Sequence, residues 1–306
     1  MHIAFFDSGL GGLSIAQAFF THPKSASVAV RQCSYIADTG AFPYGDKTDL
    51  WLIERITTVV RAAMERIQPD LVVVACNTAS TLALTSLRQV FSIPFIGVVP
   101  AIKPAAHAST TGVIGVLATP ATVARDYTAQ LIADYAPKQR VLLYGCTELV
   151  AQAERHLLHL PVDTHILQQA LKGLLQQANG YNIDTIVLAC THFPLLKEAL
   201  AQQWAQLCPH RVQWVDSGEA IARRIIELAP CIDRQDTTGA TDNILSKPAV
   251  TQLVTTGGPL AAQYTALLQQ QPQWLGAPSP ATSPATTKTT PITAKPATFA
   301  HIALTL

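Results

Sequence analysis

The sequence predicts an α/β protein built from two similar, mainly parallel sheets flanked by helices, and three observations carry that prediction. Short Val/Ile/Leu runs alternate with Ala/Leu/Gln-rich stretches along most of the chain. The runs are continuously apolar rather than alternating, which suits strands buried on both faces. One strand segment occurs twice: Asp70-LVVVA-Cys76-Asn77-Thr78 is matched by Asp184-TIVLA-Cys190-Thr191-His192, 114 positions on.

The first half opens with a strand at Ile3–Phe6, the turn DSGLGG and a helix near Leu13–Phe20. A strand at Ser34–Ala37 runs into the loop DTGAFPYGDKT. A helix over Asp49–Gln68 stops before Pro69, a proline being a helix breaker. Then come a strand at Leu71–Ala75, a helix at Ala79–Phe91 and a strand at Ile96–Val99. The second half repeats the plan: strand Gly112–Leu117, helix Pro120–Asp134, strand Val141–Tyr144, helices Gln152–His159 and Ile166–Asn179. It continues with strand Thr185–Ala189, helix Leu195–Leu207, strand Val212–Val215 and helix Glu219–Glu227. HIAFFDSG also echoes GVIGVLAT when Phe5 is laid on Val116. The expected organisation is a first domain of 1–98 plus 210–262, a second of 99–209, and a Pro/Thr/Ala-rich tail over 263–306 that reads as disordered. Ligands bind parallel sheets at the carboxyl ends of their strands, so the active site belongs in the cleft between the two pseudo-symmetric domains. Two chain crossings make a hinge there.

Composition narrows the function. The chain has 306 residues, 49% hydrophobic and 13% charged, with 21 basic and 20 acidic side chains. A net charge of +1 lacks the basic field that meets phosphates. Apolar runs such as LVVVAC fall well short of the ~20 residues that span a bilayer. The start, MHIAFFDSG, has no basic region before its apolar residues and does not read as a signal peptide. Six dispersed cysteines without a CxxC pair do not read as a disulfide scaffold. The expectation is a soluble, cytoplasmic enzyme with a small-molecule substrate and no nucleic-acid or membrane partner.

A cysteine after a Val run is ordinarily a small buried hydrophobe, and Cys33, Cys146, Cys208 and Cys231 are read so. Cys76 and Cys190 differ, because they form a matched pair at the ends of repeated strands, each followed by hydrogen-bonding residues. A helix start there lowers a thiol pKa and offers N–H groups to an anion. A zinc site needs four ligands, and only Cys190-x-His192 is local. A Cys-His hydrolase needs one nucleophile and leaves the second thiol unexplained. Two equivalent thiols suit a symmetric reaction such as racemisation, in which one group takes a proton from one face of carbon and the other supplies one to the opposite face. In DSGLGG the glycines allow close backbone approach, the phosphate-loop spacings are absent, and Asp7 either caps the following helix, meets a substrate ammonium or steers a thiol proton.

Five segments in order, FDSGLGGLS (6–14), ADTGAFPYGDKT (37–48), VVACNTAS (73–80), VLACTHFPLL (187–196) and VDSGEAIA (215–222), resemble the glutamate racemases of the aspartate/glutamate racemase superfamily. The resemblance covers about residues 2 to 228. It implies a cofactor-independent, metal-free isomerase that interconverts L- and D-glutamate with two bases, supplies D-glutamate for peptidoglycan, and works as a homodimer. By the same resemblance Cys76 serves the D-enantiomer and Cys190 the L-enantiomer, with Asp7 and His192 assisting the nearby thiols. Asp7-Ser8, Tyr44-Gly45, Asn77-Thr78 and Thr191-His192 match its substrate-binding dipeptides, and Asp38 matches a family acid. A mid-chain glutamate of the family corresponds to Glu148 or Glu154, and spacing from Cys146 favours Glu154. Two rivals stand beside this reading: a racemase for aspartate or another amino acid, and a regulatory protein that binds an amino acid without turnover.

Overall fold

The computed structural model describes residues 1–233, 249–270 and 300–304. Its strands are β1 (His2–Asp7), β2 (Gln32–Ala37), β3 (Leu71–Val74), β4 (Phe95–Gly97), β5 (Val113–Ala118), β6 (Arg140–Gly145), β7 (Thr185–Leu188), β8 (Gln213–Val215), β9 (Gln252–Thr255) and β10 (Ala300–Ala303). Its helices are α1 (Leu13–Thr21), α2 (Asp49–Ile67), α3 (Asn77–Val90), α4 (Ile102–Ala108), α5 (Pro120–Val123), α6 (Asp126–Tyr135), α7 (Glu148–Leu157), α8 (Thr164–Leu175), α9 (Lys197–Leu207), α10 (Gly218–Asp233) and α11 (Pro259–Gln270).

Two parallel sheets result, ordered β10-β9-β2-β1-β3-β4 and β6-β5-β7-β8. The shared pattern β2-β1-β3-β4 and β6-β5-β7-β8 is the repeat seen in the sequence. Its register is kept: Phe5 pairs with Val73, and Val116 with Val187. The central strands β1, β3, β5 and β7 are buried on both faces throughout. Their apolar continuity thus reflects helices packed on each side. The repeated leading aspartates have parallel structural work. Asp70 accepts from the His2 backbone at the start of β1, and Asp184 accepts from the backbone N–H groups of Thr110 and Thr111 just before β5. Each pins the central strand of its sheet.

Several boundaries depart from expectation. β8 pairs with β7, so Gln213–Val215 extend the second sheet and the chain returns to the first domain after them, at Asp216–Ser217. The helix expected over Pro120–Asp134 is broken into α5 and α6, because Thr119 caps only a single short turn. The segment assigned to a tail contributes structure: Tyr264, Leu267 and Leu268 of α11 are buried in the first core, and β10 extends the first sheet beside β9. The Pro/Thr-rich stretch 271–299, where disorder was expected, lies outside the described residues. The two crossings touch, Ser217 Oγ donating to the Val99 carbonyl. Among the described residues no helix is long and apolar enough to cross a membrane.

A buried polar group beside the first sheet gives stability a pH dependence. His2 Nε2 lies 2.8 Å from Ser34 Oγ, which donates to Gln252 Oε1 on β9. Burial pushes the His2 imidazole down to about 4, against the pull of Asp70. The unfolded chain therefore takes up this proton first as pH falls. The contribution is complete above about pH 6.5 and is lost between 6.5 and 4, amounting to roughly 3 kcal/mol. Urea midpoints at pH 7 and pH 4 should fall less for His2→Gln than for wild type; equal losses would refute the assignment.

Candidate active site

The carboxyl ends of β1, β3, β5 and β7 converge on a cleft lined by Ser8, Tyr44, Gly45, Cys76, Asn77, Thr78, Cys190, Thr191 and His192, together with Pro43, Thr119, Thr122 and Val150. Every expected dipeptide thus contributes to one cavity, except that Asp7 stands behind the wall. The water-sized space within it is about 20 Å³, room for about one water.

Cys76 caps the N-terminus of α3. The expected depression of its pKa is not found: burial pushes the thiol well up, the Asp7 carboxylate adds to that, and the amides of Ala79 and Ser8 oppose it. Cys190 is followed by a single 3-10 turn, Phe193–Leu196, so only one of the two thiols sits at a true α-helix start. Its sulfur lies 3.9 Å from His192 Nδ1. Among the described residues no group of three or more His, Cys, Asp and Glu side chains comes together to hold a metal.

Asp7, at the end of β1, is fully buried. Its Oδ1 accepts from the Gly9 N–H at 2.8 Å and from Ser8, and its Oδ2 accepts from Thr191 Oγ1 at 2.9 Å. Both oxygens are engaged within the protein, and Asp7 is not among the residues that line the cavity. Burial raises its pKa, and the nearby His192 charge and the Gly9 amide partly offset the rise. The Asp7 charge is felt at the Cys76 thiol.

His192 is held by Glu154. Its Nε2–H donates to Glu154 Oε1 at 2.7 Å, and the same oxygen accepts from the Leu10 N–H at 3.0 Å. Burial alone would lower the imidazole pKa. Hydrogen bonds to Cys190 and Glu154 outweigh it and hold the ring well above the usual histidine range. Of the two candidate glutamates, then, Glu154 reaches the site, while Glu148 accepts from the Cys146 thiol at 3.3 Å beside a separate cavity. The glycines of DSGLGG are explained by proximity rather than by phosphate: a Cβ on Gly11 would lie 2.3 Å from His192 Nδ1, and one on Gly9 2.8 Å from Glu154 Oε1.

Asp38 is fully buried behind the cleft. It accepts from the Tyr44 hydroxyl at 2.7 Å, from Arg55 Nε at 3.0 Å and Nη2 at 2.7 Å, and from Thr256 Oγ1. It fixes Tyr44 rather than facing the cavity. Asn77 Oδ1 is buried without a partner, an acceptor free for a bound molecule. Thr119 and Thr122 were missed in the sequence; the signal was the threonine pair around Pro120, read only as a helix start. The Thr256 contact had no signal, since 218 residues separate it from Asp38.

Comparison with known proteins agrees with this geometry. The family model described as Asp/Glu/Hydantoin racemase matches residues 17–225. The chain is 44% identical to a glutamate racemase of Aliivibrio fischeri over 227 residues, 74% of this chain and 80% of that one. It is 44% identical to a glutamate racemase of Sphingopyxis alaskensis over 226 residues, 74% and 81% of the two chains. The crystal structure of Escherichia coli glutamate racemase with L-glutamate and the activator UDP-MurNAc-ala superposes with a TM-score of 0.73 at 38% identity, covering 88% of this chain and 94% of that one. With the paired cysteines, the closed cleft and these matches in hand, the chain belongs to the Asp/Glu/Hydantoin racemase family.

Proposed function

We propose that this chain interconverts L- and D-glutamate by proton transfer between two cysteines, and that it supplies D-glutamate for peptidoglycan. One observation carries the reading: two thiols at equivalent strand ends of two sheets face one closed cleft, each with its own proton-handling neighbour. Asp7 serves Cys76, and His192 with Glu154 serves Cys190. A cytoplasmic homodimer goes with this reading on the family resemblance.

The Cα–H of an amino acid is a very weak acid. The Cys76 thiolate, its pKa raised by burial, is a stronger base than an exposed one, and for proton abstraction that strength is useful. From L-glutamate, the Cys190 thiolate takes the Cα proton while the Cys76 thiol delivers one to the opposite face. From D-glutamate the roles reverse. Between turnovers the protons are reset through the neighbours and solvent: after L-glutamate, Asp7 returns a proton to Cys76 and His192 takes one from Cys190; after D-glutamate, both transfers reverse. The Asn77 carbonyl oxygen accepts from the substrate ammonium. The N–H groups at the start of α3 and in the turn after Cys190 stabilise the α-carboxylate as negative charge builds on Cα.

Cys76→Ser and Cys190→Ser should each reduce racemisation by at least about a hundredfold while the circular dichroism spectrum stays unchanged. Polarimetry measures the rate, and a wild-type rate in either variant would sink the two-thiol mechanism. In D₂O, D-glutamate formed from L-glutamate should carry deuterium at Cα by mass spectrometry, because the delivering thiol exchanges with solvent while the cleft is open. Product without deuterium would rule that route out. Aspartate assayed alongside should turn over far more slowly.

A further inference from the structure

The segment from 249 onward lies beyond the stretch that the family model matches, yet it reaches the site. Tyr264 on α11 is wholly buried, packed in one core cluster with Leu10, Tyr35 and Leu157. Leu157 lies one turn beyond Glu154 on α7. Among the described residues, the Tyr264 hydroxyl and Glu154 Oε2 are two of the buried polar atoms that close no hydrogen bond. One is a donor and the other an acceptor, and leaving either unmatched is costly. Glu154 has its other oxygen engaged by both Leu10 and His192, so Oε2 is the one left to orient.

We propose that Tyr264 is a positioning residue for the Cys190 half of the site, its hydroxyl steadying Glu154 Oε2 so that Oε1 holds His192 against the thiol. The inference rests on the two-thiol reading above. Burial, and then the Glu154 charge, keep the phenol protonated, so it is a donor across the working pH range. The titratable groups that face Glu154 are His192, backed by Cys190, then Asp7 on β1, Tyr35 on β2 and Tyr264 itself. The Tyr35 hydroxyl donates to the Gly9 carbonyl at 2.9 Å, which leaves Tyr264 as the hydroxyl free to donate. Removing it leaves Glu154 Oε2 with nothing to orient it, so Oε1 no longer holds the His192 imidazole in one position against the thiol.

Tyr264→Phe keeps the ring in the core and removes only the oxygen. We expect kcat/KM at pH 7 to fall about tenfold, the size of a lost hydrogen bond to a charged group. KM should stay near wild type, so that the loss falls on kcat. Enantiomers have equal free energy, so kcat/KM must remain equal in the two directions whatever the substitution. The asymmetry instead appears in the primary isotope effect. With α-deuterated substrates the effect should rise for L-glutamate, whose proton goes to Cys190, and fall for D-glutamate. In a Glu154→Gln background, Tyr264→Phe should add nothing. A loss carried by KM rather than kcat, isotope effects that change equally, or an undiminished effect in the Glu154→Gln background would each overturn the role of Tyr264. Failure of wild type to exchange the Cα proton of glutamate would instead overturn the reading on which it rests.

Discussion

Two carboxylates shut away from water govern this structure. Asp7 and Glu154 belong to different domains, and each accepts one hydrogen bond from across the junction, Asp7 from Thr191 and Glu154 from Leu10. A buried charge without partners is expensive. Closing the cleft and satisfying these charges are therefore one event. The same closure dries the two thiols and raises the basicity of Cys76. Water exclusion, base strength and domain contact are not separate devices but results of a single constraint.

The two halves share a plan without being equivalent. Asp70 and Asp184 perform the same structural task at the starts of the central strands, and the strand registers superimpose. The proton-handling partners then diverge. Cys76 has a carboxyl below it and an α-helix ahead; Cys190 has an imidazole beside it and only a short 3-10 turn ahead. Symmetry in the backbone brings two equivalent atoms to opposite sides of a cavity. Asymmetry in the neighbours lets one thiol be charged while the other is neutral, which a proton relay from face to face demands.

What could be read from the chain alone follows from the range of the forces involved. Strands buried on both faces announce themselves as continuous apolar runs, and a repeat announces a second sheet, so the core of each domain and both cysteines were legible. β9 and β10 were not. QLVT and AHIA are four residues each, and β9 acquires its meaning from β2, 218 positions earlier. β8 was seen as a strand but given to the wrong sheet, because nothing local says which neighbour it will pair with. The thiol at a helix start was expected to be acidic; a local dipole argument cannot see the burial that overrides it. Glu154 could be singled out by spacing, but its grip on His192 is a contact between elements and existed in no local pattern.

The touching crossings at Val99 and Ser217 have a mechanical consequence. Two segments bound side by side form an axle, and bodies joined by an axle retain one rotational freedom while sliding and twisting are suppressed. Each time the domains shut, Cys76 and Cys190 return to the same separation. A carbon held between them meets its proton acceptor and its proton donor at a gauge set by these two crossings.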